Sequence, residues 1–84
     1  MRVNSAKELA VYLQDQRLTS KLSQNFVAEL ASMRQATVSS FESKPESAKL
    51  ETLFKLLSAL DLELEVRHKG ERASTEVNPA SLDW

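Results

Sequence analysis

The side chains able to do chemistry in this chain are few, and their types exclude more than they permit. One His, one Gly and no Cys in 84 residues leave no thiolate metal site, no disulfide framework and little for a phosphate loop. No set of nucleophile, base and orienting group can be assembled from this inventory, so neither an enzyme nor a bound cofactor or metal is expected. His68 stands alone and reads as a surface residue. What the chain does carry is a run of small polar side chains, Arg34-Gln35-Ala36-Thr37-Val38-Ser39-Ser40. On a helix, Gln35, Ala36, Ser39 and Ser40 share an outward face small enough to approach the edges of bases. A Gln carboxamide can pair twice with adenine, at N6 and N7, and an Ala methyl suits the methyl of thymine. Ser23 and Gln24 stand where a preceding helix would begin and could meet a phosphate. Lys21 and Lys44 flank the run in loops and are further candidates for phosphate contact.

Such a face needs helices to hold it. Ser5-Ala6-Lys7-Glu8 reads as a capping box in which Ser5 accepts from the third helical amide and Glu8 reaches back to the amide of Ser5. Leu9, Ala10, Leu13 and Arg17 follow at helical spacing, which predicts a helix over about residues 6–18. Ser23 is the next N-cap, opening a helix over residues 24–30 with Val27, Ala28 and Leu30 inward. Residues 31–33 form a corner. A second short helix runs over about residues 34–43, with Val38 and Phe41 inward, and Pro45 stops it. Glu46-Ser47 opens the next helix, with Ser47 as candidate cap. Leu50, Leu53, Phe54, Leu56, Leu57 and Leu60 then make a broad apolar stripe over about residues 48–60. Two short helices joined by a three-residue corner have the spacing of a helix-turn-helix, whose second helix can lie in a DNA major groove. Any helical bundle also has short helices with polar outer faces, so spacing alone leaves both readings open.

Leu62-Glu63-Leu64-Glu65-Val66-Arg67 alternates strictly, the period of a half-buried strand. A lone strand is unstable, and one copy of the chain offers it no partner. The economical partner is the same strand of a second copy across a two-fold axis, with Leu62, Leu64 and Val66 on the inner face. From Gly70 the periodicity is gone. Residues 1–69 therefore read as one folded domain and residues 70–84 as a flexible tail ending in Leu82-Asp83-Trp84. Trp is a favoured anchor at protein interfaces, so Leu82 and Trp84 are candidates for holding a protein partner. Equally, Trp84 could pack back on its own domain. Residues 1–60 hold eight basic and six acidic side chains, and residues 61–84 hold three and six. A slightly basic body with an acidic end weakly favours nucleic-acid contact by the body. No apolar run approaches the length of a membrane span and no secretory signal opens the chain, so a cytoplasmic protein is expected.

The residues Ser23-Gln24-(x)2-Val27-Ala28-(x)3-Ser32-Met33-Arg34-Gln35-Ala36-Thr37-Val38-Ser39-(x)2-Glu42, followed by Leu50, Leu53, Leu56 and Leu60, resemble the phage-repressor type of helix-turn-helix, the XRE/Cro family. The resemblance covers about residues 5–60. The segment Arg-Gln-Ala-Thr-Val-Ser-(x)-Phe-Glu, the strand after the last helix and the Leu-Asp-Trp ending narrow it to the HipB-like antitoxins within that family. The resemblance implies an all-α, lambda-repressor-like bundle of four to five helices, with one C-terminal strand forming a two-stranded sheet between subunits. It implies a homodimer on palindromic operator DNA that acts as a repressor, associates with the nucleoid, and neutralises a HipA-like Ser/Thr kinase toxin, with no membrane or small-molecule partner. It places Gln35, Ala36, Ser40 and Arg34 among base-reading positions and Ser23, Gln24, Thr37 and Ser39 among phosphate-contacting ones. Arg17 and Glu42 match a pair that forms a salt bridge behind the recognition helix in many relatives. Ser32 stands where the family usually has Gly at the corner, a position that favours positive φ and costs a non-glycine residue about 1 kcal/mol or more. A stand-alone regulator without a toxin, or an interaction module working through its tail, are the alternative readings.

Overall fold

Local hydrogen bonding and helix-breaking residues divide the chain. In the computed structural model, which describes residues 2–69, helix α1 spans Ala6–Thr19, α2 Gln24–Leu30, α3 Gln35–Ser43 and α4 Leu50–Ala59, with a 3-10 turn at Pro45–Ser47. Ser5 Oγ accepts from the Glu8 N–H at 3.1 Å, while Glu8 Oε1 accepts from the N–H of Asn4 at 2.7 Å rather than from Ser5, so the capping box closes one residue earlier than the sequence suggests. Ser23 Oγ accepts from the Phe26 N–H at 3.0 Å and starts α2. The start of α4 differs from expectation. Pro45 enters a 3-10 turn at once, closed by Ser47 N–H to Lys44 O and Ala48 N–H to Pro45 O. Ser47 is consumed by that turn and cannot take the extended backbone of a cap. Lys49 caps α4 instead, without a side-chain hydrogen bond.

Three helices end the same way. Lys21, Ser32 and Asp61 adopt φ of 60°, 57° and 60°, and each follows a helix by two residues. After α1, Lys21 N–H donates to Leu18 O (2.9 Å) and Leu22 N–H to Arg17 O (3.0 Å). The pattern repeats after α2 (Ser32 to Glu29, Met33 to Ala28) and after α4 (Asp61 to Ser58, Leu62 to Leu57). This paired closure normally uses glycine at the left-handed position, and here three other residues occupy it. In each case the next residue is large and apolar: Leu22, Met33 and Leu62 all pack against the core. Burial of that side chain offsets the cost of the left-handed backbone.

The core joins all four helices: Ala10 and Leu13 from α1, Val27 and Ala28 from α2, Val38 and Phe41 from α3, and Leu53, Leu56 and Leu57 from α4, with Ala31 at the corner. Three expected core residues are outside it. Leu30 is 52%, Leu50 72% and Phe54 51% exposed. In the two turns of α2 the inward arc is Val27, Ala28 and Ala31, which puts Leu30 with Phe26 on the flank. In α4 the inward arc is Leu53, Leu56, Leu57 and Leu60, which leaves Leu50 and Phe54 on an adjoining stripe. After α4 the chain runs on without helix. Leu62 is partly buried, Leu64 and Val66 are exposed, and residues 62–67 pair with no other strand among the described residues. The tail residues Leu82 and Trp84 lie outside the described residues. No described helix is long and apolar enough to cross a membrane.

Candidate nucleic-acid interface

Helices α2 and α3 pack against each other around the Ala31–Met33 corner, and Ser32 takes the left-handed turn that a glycine would take. The corner therefore keeps glycine-like geometry. Behind α3 lies a buried polar network. Arg17 from α1 grips Glu42 from α3 with two hydrogen bonds, Nε to Oε2 at 2.7 Å and Nη2 to Oε1 at 3.1 Å. Only 9% and 7% of the two side chains are exposed. The third guanidinium arm, Nη1, donates to Leu22 O at 2.8 Å and so ties down the α1–α2 loop. Glu42 Oε1 also accepts from Gln24 Nε2 at 2.9 Å and, more weakly, from Gln14 Nε2 at 3.3 Å. No buried side-chain nitrogen or oxygen among the described residues lacks a partner. One carboxylate thus holds α1, α2 and α3 in fixed relation, and bidentate Arg–carboxylate geometry makes that relation directional.

The network reaches the surface through Gln24. Its Nε2 faces inward to Glu42, and its Oε1 accepts from Gln35 Nε2 at 2.6 Å. Gln35 keeps one amide hydrogen and its carbonyl oxygen, which is the donor–acceptor pair that adenine N7 and N6 require. Gln24 keeps one amide hydrogen, enough for a phosphate oxygen. Two carboxamides thus join the buried ion pair to the exposed edge of α3.

The remaining candidates sit around this edge. Arg34, at the N-cap of α3, and Ala36 and Ser40 on its outer face are exposed, whereas Thr37 and Ser39 are half-buried. The Ser23 hydroxyl is engaged by the Phe26 N–H. Lys21 and Lys44 are exposed in the loops before α2 and after α3. Sequence reasoning missed two features. Gln14 lies one turn before Arg17 on the same face of α1, a spacing that could have flagged it. The Gln24–Gln35 contact spans eleven positions and has no signature in periodicity. Among the described residues no cluster of metal-ligating side chains occurs.

The helix-turn-helix family HTH_3 matches residues 13–66. The chain belongs to this family. This helix-turn-helix protein is also similar to antitoxin HipB of Escherichia coli strain K12, with 26% identity over 83 residues that cover 99% of this chain and 94% of HipB. Among solved structures it is similar to a chain of a HipA–HipB–O2–O3 complex and to one of a HipB–O4 20mer complex, each at 29% identity and TM-score 0.80, covering 82% of this chain and 97% of theirs. The four-helix domain is therefore a DNA-binding helix-turn-helix of XRE type that resembles HipB, with α2 and α3 as the two helices of the motif.

Proposed function

We propose that this helix-turn-helix protein is a dimeric operator-binding repressor that also acts as the antitoxin of a HipA-like Ser/Thr kinase. The observation that carries the DNA half is the braced carboxamide of Gln35, exposed on α3 with the adenine-complementary pair of atoms free. Ala36, Ser40 and Arg34 complete the base-reading face, and Ser23, Gln24, Thr37, Ser39, Lys21 and Lys44 supply phosphate contacts around it. One such head buries too little surface for tight, specific binding, so two heads set one duplex turn apart, about 34 Å, read a palindrome. Residues 62–67 join the two subunits. Arg67 Nη2 bonds Glu65 Oε2 at 2.9 Å, a contact between residues two apart that an extended chain makes on one face, leaving Leu62, Leu64 and Val66 on the other. For the toxin half, support comes from the similarity to a HipB chain held in a complex with HipA. Leu82 and Trp84 are the residues assigned to toxin contact, and the protein works in the cytoplasm on the nucleoid.

The decisive experiment is Gln35→Ala against a panel of operator variants. Affinity for the cognate operator falls by about 1–3 kcal/mol per half-site, and discrimination is lost at one base position. A loss that is uniform across all sequences would show that Gln35 does not read a base.

A further inference from the structure

The alternating segment carries more than an apolar face; its charges choose how two copies align. We infer that in the dimer the two-fold axis passes through Val66, so that each strand pairs antiparallel with its partner in that one register. This inference rests on the dimer reading above. The backbone leaves the α4 closure at Asp61, whose φ of 60° excludes it from a strand, so pairing begins at Leu62. Directly opposite residues of an antiparallel pair share a face, and like charges placed opposite each other are destabilising.

Three registers keep Leu62, Leu64 and Val66 on one face near the axis. With the axis at Leu64, Glu63 faces the partner's Glu65 twice, two like-charge pairs. With the axis at Glu65, Glu63 faces the partner's Arg67 twice and Leu64 the partner's Val66, but Glu65 meets the partner's Glu65 on the axis itself. With the axis at Val66, Glu65 faces the partner's Arg67 twice and no like charges meet; Glu63 falls opposite the partner's Lys69, which lies past the segment in a turn. The axis at Glu65 has one more apolar pair, since here Leu64 faces the partner's His68. Cross-strand pairs of either kind are of similar worth, so the like-charge pair on the Glu65 axis cancels its extra apolar pair, and the charges around Arg67 decide.

The ion pair already present within one chain strengthens this choice. Arg67 Nε and Nη2 both bond Glu65 Oε2, at 3.1 and 2.9 Å. Placed antiparallel about Val66, the two copies of this pair form a square in which every edge joins an acid to a base. The axis at Val66 also brings the most exposed large apolar side chain of the described residues, at 87%, against its own copy.

The chain has no Cys, which makes single-cysteine crosslinking a direct test. Val66→Cys, Glu65→Cys and Leu64→Cys are each made in the full chain and oxidised, and the disulfide-linked dimer is measured on a non-reducing gel. The same samples, reduced, are measured by sedimentation. Opposed residues on a two-fold have Cα atoms about 4.5–5.5 Å apart, inside the range of roughly 4.4–6.8 Å that a disulfide spans. In the proposed register the two Glu65 positions are diagonal neighbours about 7–8 Å apart, and the Leu64 positions are farther still. Val66→Cys therefore crosslinks at least tenfold faster than the other two. Glu65→Arg weakens the dimer, and Glu65→Arg with Arg67→Glu restores it. Fastest crosslinking at position 65 or 64 overturns the register while leaving the dimer in place. A dimer in sedimentation with no crosslinking at any of the three overturns strand pairing. A monomeric wild-type chain overturns the dimer reading itself.

Discussion

Removing Glu42 tests whether the buried network both holds the fold and aims the reading head. In Glu42→Ala, the Arg17 guanidinium keeps only Leu22 O, and Gln14 and Gln24 each lose an acceptor. The pair is nearly water-free, with 9% and 7% side-chain exposure, so the loss is that of a broken buried ion pair, about 3–5 kcal/mol. A chain of this length has a total stability of roughly 4–13 kcal/mol, so the variant stands near its unfolding threshold. With a urea m-value of about 1–2 kcal/mol/M, the midpoint falls by about 1.5–5 M in a circular-dichroism titration. The double variant Arg17→Met, Glu42→Leu replaces the pair with apolar volume and recovers most of that stability, because a well-packed apolar substitute for a buried ion pair is often neutral or better. It does not restore the brace on Gln24. In the folded double variant, operator discrimination at the base that Gln35 is proposed to read falls by about 1 kcal/mol, part of the roughly 1–3 kcal/mol that a bidentate contact supplies. A cost below about 1 kcal/mol for Glu42→Ala would mark the pair as behaving like a solvated one. Wild-type discrimination in the double variant would refute the link from Glu42 to Gln35.

Ser32→Gly relieves a left-handed backbone that costs a non-glycine residue about 1–2 kcal/mol, less the roughly 0.5–1 kcal/mol of extra chain entropy that glycine loses on folding. The net gain, up to about 1.5 kcal/mol, appears as a raised melting temperature, with operator affinity retained; a lower melting temperature would contradict the φ of 57°. Lys21→Gly removes the same strain but also a cation, so stability rises while affinity drops equally for all DNA sequences and the salt slope shrinks by about one per subunit. A drop confined to the cognate operator would place Lys21 at a base instead. Deleting residues 71–84 abolishes capture of a HipA-like kinase in a pull-down and leaves operator binding intact; undiminished capture would remove Leu82 and Trp84 from the toxin contact.

Much of the fold is legible because its boundaries rest on local rules. Ser5 and Ser23 cap α1 and α2 through their own side chains, and Pro45 ends α3, all of which depend on neighbours within four residues. Legibility fails where the outcome is decided elsewhere. Ser47 has the chemistry of a cap, but Pro45 commits it to a turn. Ala31, the C-cap just past α2, takes the inward position and leaves Leu30 on the flank. Of the three left-handed residues, Ser32 is marked through the family's corner glycine, while Lys21 and Asp61 escape a rule that looks for glycine. Their signal is instead a polar residue followed by a large apolar one just past a helix: Lys21-Leu22, Ser32-Met33 and Asp61-Leu62. Of the candidate site, the small polar face of α3 follows from residue types alone. The partnership of Arg17 with Glu42, at a separation of 25 residues, was implied only by family resemblance, because no periodicity relates the end of one helix to the end of another.

The two parts of the proposed mechanism share one structural device. Each apolar residue that follows a left-handed closure is anchored in the core, and what leaves that anchor inherits a fixed direction. Leu22 leads into Ser23 and Gln24, and its carbonyl is held by Arg17, so the brace behind Gln35 starts from a clamped point. Met33 leads directly into Arg34 and Gln35, which sets the angle at which α3 leaves the corner. Leu62 leads into Leu64 and Val66, with its N–H bonded to Leu57 O at 2.7 Å, so the end of α4 sets the phase of the proposed dimer strand. Reading a palindrome requires both the aim of each head and the distance between heads to be fixed. A chain with a single glycine, placed beyond these helices at Gly70, would fix them through closures that admit little backbone freedom. In this proposal, the conformational cost at three non-glycine positions gives the reading heads and the dimer strand a common rigid frame.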